Sequence, residues 1–235
     1  MTMIVEFVGL PGSGKTTLKA ELESALVAAG ILVLGPKRGE SRRIRQKFGS
    51  LWRSRTAVLA AARALKSDSR PIAQRVRAMR WLATTLELYH EAHRLEMPGA
   101  VLILSEGVAQ RALLAFLDAQ SSHVSSHVGA YVPRIPKPDM IVHLRIDPVV
   151  SVQRQQSRRL TEGERGDQRA ADRFHLEPDR LLTAMQLADQ LLLRMVDNMA
   201  TERGVEVICL DTNDLDAAAT GLMDRVVPRI IHRAS

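Results

Sequence analysis

Aromatic residues are scarce. Two Trp, two Tyr and four Phe amount to 3% of the 235-residue chain. Leu, Val, Ile, Ala and Met must therefore fill any core. Cysteine is rarer still: Cys209 stands alone, in the apolar run 205–210. A single cysteine excludes an internal disulfide and a cysteine zinc cluster, and it fits a reducing compartment. Long hydrophobic runs are missing too. No stretch approaches the roughly 18 uninterrupted apolar residues that a membrane-spanning helix needs. The first apolar run, residues 3–10, is short, contains Glu6 and leads directly into glycines, which is not the pattern of a signal peptide. These absences predict a soluble, cytoplasmic protein. The apolar fraction of 46% with 25% charge is that of a globular chain. The length suits one sizeable core, so a single domain over residues 1–235 is expected.

Acidic residues are nearly missing from one segment. Between Pro36 and Arg80 stand 14 Lys or Arg against Glu40 and Asp68, a local charge of +12, whereas the remainder of the chain carries −5. Charge concentrated in this way points to a local anionic partner rather than to general basicity.

Short β-branched runs alternate with long helical patterns. Residues 3–8, 31–34, 101–104, 140–146 and 205–210 read as strands, and their continuous apolar character suits strands buried on both faces of a parallel sheet. Helices are predicted over 15–29, 71–97 and 178–203. The first ends at Gly30, the second before Pro98-Gly99, and the third starts at Pro178 and ends at Gly204. On the second, Ile72, Val76, Met79, Ala83 and Leu86 mark the expected apolar face. On the third, Met185, Ala188, Leu192, Met195 and Met199 do so. His90 and His93, near Glu87 and Glu91, read as a solvated face. Residues 118–138, with His123 and His127, read as a polar loop. Strict alternation of strand and helix implies a doubly wound α/β sheet.

The loop after the first strand carries the chemistry. Gly9-Leu10-Pro11-Gly12-Ser13-Gly14-Lys15-Thr16 satisfies the pattern G-x-x-x-x-G-K-[ST], between a strand and a helix N-terminus, and Thr17 follows it. Glycines let successive backbone N–H groups turn inward around an anion, and the helix adds the positive end of its dipole. Lys15 is expected to neutralise the β- and γ-phosphates of ATP, and the Thr16 hydroxyl to ligate Mg²⁺.

The next acid in the crevice is Glu106, at the end of the third strand. There it is placed to hold Mg²⁺ through water or to accept a proton from an acceptor hydroxyl. Arg111 is expected to point into the same crevice. Further on, Asp147-Pro148 starts a helix with Arg154 and Arg158 four apart on one face. More arginines follow at 159, 165, 169 and 173. Residues 154–175 read as an arginine lid that would stabilise a transferring phosphoryl group and exclude water.

Taken together, these motifs resemble the thymidylate kinase and deoxynucleoside kinase group of P-loop kinases. The phosphate loop carries the likeness first. The stretch 138–158 adds a strand, a D-P turn and an Arg-x-x-x-Arg helix, and "DRF" (172–174) and "VICLDTND" (207–214) extend it. The resemblance implies a P-loop NTPase three-layer sandwich with a mainly parallel five-stranded sheet. It also implies ATP as phosphate donor with Mg²⁺, and Asp211, Thr212 and Asn213 near the adenine. The absence of a guanine-reading Asn-Lys-x-Asp tetrad agrees with ATP, and pairing through helices into a homodimer is a family expectation.

One position departs from the group, which usually has an arginine directly after the acid of the third strand. This chain has Glu106-Gly107, and Arg111, one helical turn on, is the residue that would take that arginine's place. The basic segment falls where the group builds its acceptor site, a helical region over 36–97. Arg42, Arg45, Arg77 and Arg80 are the candidates for holding an acidic small-molecule acceptor, with a nucleoside monophosphate the leading example. A rival reading is a nucleotide-dependent switch or accessory ATPase whose residues 36–80 dock on RNA, an anionic membrane or a protein. No RNA-binding signature accompanies those residues.

Overall fold

The structure, a computed structural model, describes residues 2–34, 72–95, 97–111, 131–164 and 178–234. Five strands form one sheet: β1 (Met3–Gly9), β2 (Leu32–Leu34), β3 (Ala100–Leu104), β4 (Met140–Arg145) and β5 (Glu206–Asp211). Their spatial order is β2-β3-β1-β4-β5, and every neighbouring pair is parallel. The expected "mainly parallel" sheet is thus wholly parallel. This follows from the long crossovers, because only antiparallel neighbours can be joined by tight hairpins. Chain direction reverses across the sheet at the boundary of β1 and β3, since β1 leads left to β2 whereas β3 leads right to β4. Such a switch point opens a crevice at the carboxyl ends of the two strands.

Six α-helices are described: α1 (Lys15–Ala28), α2 (Ile72–Leu95), α3 (Pro148–Glu164), α4 (Pro178–Arg203), α5 (Leu215–Arg225) and α6 (Val227–Ala234). Helices α1, α5 and α6 pack on one face of the sheet, and α4, joined by α3 and the buried part of α2, covers the other. Val5 and Phe7 of β1 enter the first core with Leu18, Leu22 and Leu26 of α1. Ile4 and Val8, which alternate with Val5 and Phe7 and so lie on the opposite face, enter the second core with Leu86 and Tyr89 of α2 and Met185, Leu192 and Met195 of α4.

The apolar face expected for α4 is buried as predicted: Met185, Ala188, Leu192, Met195 and Met199 are all covered. For α2 the expectation holds in part, since Met79 is partly buried against the second core and Ala83 is partly covered. Leu86 is fully covered, but Val76 is 60% exposed, and the buried stripe continues as Tyr89 and Ala92 instead. Length explains the difference. At 1.5 Å per residue the 24-residue helix spans ~36 Å, whereas the five-residue β3 spans ~17 Å. A helix longer than the strand cannot bury its whole apolar stripe on it, and Val76, near the amino-terminal end, is the exposed member. Glu87, expected on a solvated face, is buried. No helix among the described residues is long and apolar enough to cross a membrane.

Candidate phosphate-binding site and its surroundings

The loop from Gly9 to Gly14 joins the centre of the sheet to α1. Gly12 and Gly14 both have φ near +82°, a left-handed conformation that L side chains rarely adopt. At Gly14 a β-carbon would also come within 2.6 Å of Leu215 Cδ2. Gly14 is the N-cap of α1 and offers no side-chain acceptor, and no acidic residue stands in the helix's first turn. The leading amides of α1 are therefore left for an anion rather than for a cap.

Lys15 folds back over this loop. Its Nζ donates to the carbonyls of Gly9 and Leu10, each at 2.8 Å, and approaches Ser13 Oγ at 3.4 Å. Burial lowers its pKa to about 8, while the charge of Glu106 acts in the opposite direction. The two residues thus feel one another across the crevice. Glu106 lies just beyond β3, half-exposed, in an ion pair with Arg111. Thr16 and Thr17 are exposed at the start of α1, Ser13 is buried and Pro11 is half-buried. The donor set of the Thr16 hydroxyl and the Glu106 carboxylate consists of hard oxygens. It fits Mg²⁺, which takes one or two protein oxygens and completes its shell with phosphates and water. Among the described residues no cluster of three or more His, Cys, Asp or Glu side chains competes for a cation.

Arg154, expected in a lid, lies against the phosphate loop itself. Its guanidinium donates to the carbonyls of Gly12 (3.3 Å), Thr212 (2.9 Å) and Asn213 (2.9 Å). It therefore ties the phosphate loop to the loop after β5. Ser151, one turn earlier on α3, donates to Pro11 O at 2.6 Å. The loop after β5 is braced from within. Thr212 is buried and its N–H and hydroxyl both bond Arg145 O, Asp211 Oδ1 accepts from Asn213 N, and Asn213 Oδ1 accepts from Asp147 N. Asp211 and Asn213 are the exposed members of the trio. Arg158 is exposed on α3. Residues 154–164 of the expected lid continue α3 as helix, and 165–175 lie outside the described residues. Arg80 is exposed on α2, Arg77 is on the same helix with its side chain outside the description, and Arg42 and Arg45 lie outside it altogether.

Sequence reasoning missed four residues of this neighbourhood: Glu6, Tyr89, Gln110 and Ser151. Glu6 points from the middle of β1 into the second core and is wholly buried. Its Oε2 accepts from Tyr89 Oη at 2.6 Å, and its Oε1 accepts from the amides of Ala109 (2.9 Å) and Gln110 (3.0 Å). Gln110 Oε1 in turn accepts from the amide of Gly9 at 3.0 Å. Burial lifts the Glu6 carboxyl to about 7, against the pull of these hydrogen bonds. The signal was present in the sequence. A carboxylate in a strand apolar on both faces demands buried partners, but nothing local names them.

Glu6 also explains the glycine at 107. A β-carbon on Gly107 would overlap the Glu6 carboxyl group, so the arginine that the kinase group carries there has no room. Arg111 is the arginine that pairs with Glu106 here.

No protein-family model matches this chain, and no curated protein matches it in sequence. Solved structures do resemble it. A deoxyadenosine kinase from M. mycoides, with the products dCMP and a flexible dCDP bound, is 12% identical at a TM-score of 0.56 over 95% of this chain and 98% of that one. The same enzyme with bound dATP is 11% identical at a TM-score of 0.50 over the same shares. At such identity the likeness is one of fold: an all-parallel five-stranded sheet between helical layers.

Proposed function

We propose that this chain is an ATP-dependent phosphotransferase acting on a small acceptor, with a nucleoside or nucleoside monophosphate as the leading class. The observation that carries the reading is the phosphate loop itself, with Gly12 and Gly14 left-handed and Lys15 folded back over it, and with Glu106 just beyond the neighbouring strand β3. A lysine on a phosphate loop suits a triphosphate tail, and a half-exposed carboxylate opposite suits an acceptor hydroxyl. The fold shared with a nucleotide-binding deoxyadenosine kinase supports the same reading.

Each residue has a part. The amides of residues 9–17 bind the phosphates, and Lys15 exchanges its two carbonyl partners for phosphate oxygens. Thr16 and, through water, Glu106 would hold Mg²⁺, which when bound neutralises phosphate charge. With a nucleoside as acceptor Glu106 receives the proton of the attacking hydroxyl, whereas a monophosphate attacks through an ionised phosphate oxygen and needs no base. Arg154 holds the phosphate loop against the loop of Asp211 and Asn213, so that the triphosphate and the base are bound in one fixed geometry. Arg158 and the arginines beyond it would stabilise charge on the transferring group, and Arg80, exposed on α2, with Arg77 on the same helix, would bind an acidic acceptor.

The test is ADP formation by purified protein with Mg·ATP and a panel of nucleosides, nucleotides and sugar phosphates, with Lys15→Ala as control. Turnover that requires one acceptor and is lost in Lys15→Ala is the expected result. Turnover indifferent to every small molecule, but raised by RNA, anionic vesicles or a protein, would overturn the reading in favour of a switch.

A further inference from the structure

We propose that Glu6 is a positioning residue for the phosphate loop: from the floor of the crevice it holds the turn after β3 in the register in which Gln110 braces Gly9. The proposal rests on reading residues 9–17 as a nucleotide site.

The geometry is a relay. Tyr89 Oη fixes one carboxylate oxygen, and the other accepts two successive amides, Ala109 and Gln110, at the start of the helical turn after Gly107. Those amides are the groups a helix leaves without internal partners, so Glu6 caps this turn from a strand about 100 residues away in sequence. Once the turn is set, the side chain of Gln110 reaches the amide of the first phosphate-loop glycine. The same turn carries Glu106 on one side and Arg111 on the other. Floor, acid and loop are thus joined through a single carboxylate.

Stability alone does not account for a carboxylate here. A leucine would fill the space without the cost of burying a charge. What leucine could not do is accept the two amides and the Tyr89 hydroxyl, each a buried donor that needs a partner. The absence of a side chain at 107 has the same origin, since any β-carbon there would displace Glu6. Both tyrosines of this aromatic-poor chain are committed to the spot. Tyr89 bonds Glu6, and Tyr131 is buried close enough for the carboxylate's charge to add to the rise that burial gives its phenol.

The experiment compares Glu6→Leu, Glu6→Gln and Gln110→Leu in the full-length protein. Mg·ATP affinity is measured by calorimetry, and exchange of the Gly9 amide is measured by NMR relative to the other β1 amides. Losing the brace is expected to weaken Mg·ATP about tenfold in Glu6→Leu and in Gln110→Leu, the scale of one buried hydrogen bond. The double variant should be no weaker than the worse single, because both act through one chain of contacts. Glu6→Gln keeps an oxygen for the two amides and should stay within about threefold of wild type. Gly9 exchange should accelerate in the two leucine variants beyond that of its strand neighbours, which a general loss of stability would not single out. Should Glu6→Leu fail to fold, Gly107→Ala presses on the same carboxylate, and with Gln110→Leu it carries the same comparison. Wild-type affinity and wild-type Gly9 protection in these variants would overturn the proposal. If wild-type protein binds no Mg·ATP, the functional reading fails, and the Gly9 exchange ratio alone decides the role of Glu6.

Discussion

The two faces of β1 differ in kind. On one, Val5 and Phe7 join an apolar core with side chains from α1, α5, α6 and the flanking strands. On the other, Glu6 sits between Ile4 and Val8, and His143 of β4 stands opposite Val8 in the parallel register. Tyr89 and Tyr131 close over that side. The first face supplies cohesion. The second accepts the cost of buried polar groups and in exchange fixes the turn that bears Glu106. A single strand can serve both ends because successive side chains point to opposite sides of the sheet.

The largest expected effect breaks the dry face. Phe7→Ala removes a fully buried ring and should cost about 3–5 kcal/mol of stability in urea denaturation. Turnover per folded molecule should be little changed at low temperature. Proportionate loss of both would mean that the faces are not separable. The converse variant, Glu106→Gln, should lower turnover about 100-fold, the scale of a lost acid–base group. Its unfolding midpoint should stay near wild type, because the side chain is half-exposed. A loss below about tenfold would assign Glu106 to structure.

A subtler test lies within the wet face. Burial raises Glu6 from 4.5 to about 7, so between those values the folded chain holds a proton that the unfolded chain has released, and stability falls as pH rises. Burial lowers His143 from 6.5 to about 4, with Arg145 adding to the shift and Asp197 opposing it. In that interval the folded chain lacks a proton that the unfolded chain holds, and stability rises with pH. The two slopes oppose each other across the overlap, pH 4.5 to 6.5. Glu6→Gln should uncover the His143 slope. Relative to wild type it should gain stability with rising pH, by up to about 1.4 kcal/mol per pH unit. A difference between the two proteins that is constant from pH 5 to 7 would contradict this assignment.

The smallest effect is at the crevice above both faces. With Lys15 near 8 in the absence of ligand, an arriving polyphosphate favours its charged form. Calorimetry at pH 8 in buffers of different ionisation enthalpy should detect uptake of about half a proton on Mg·ATP binding, and much less at pH 6.5. No difference between buffers at pH 8 would mean that Lys15 is already fully charged.

Much of this was legible from the chain alone, because it depends on neighbours in sequence. The five strands agree with the apolar runs to within a residue at every end, and α4 begins at Pro178 and stops one residue before Gly204 as read. The phosphate loop was equally plain, since its pattern encodes its own backbone conformation at Gly12 and Gly14. Arg154 was not. Its spacing from Arg158 suggested a lid, and only the packed structure shows its guanidinium on the carbonyls of Gly12, Thr212 and Asn213, up to 142 residues away. Val76 misled for a related reason, since helical periodicity says which residues share a face and not whether a sheet lies beneath it.

What this sequence determined by itself is therefore the alternation of strand and helix and the anion-holding turn between the first pair. Both arise from contacts a few residues apart. The tertiary structure alone decided which groups answer the lone acid of β1, why position 107 is glycine, and what Arg154 grips. Those choices depend on segments 58 to 142 residues apart arriving at the same place, and no local pattern records that distance.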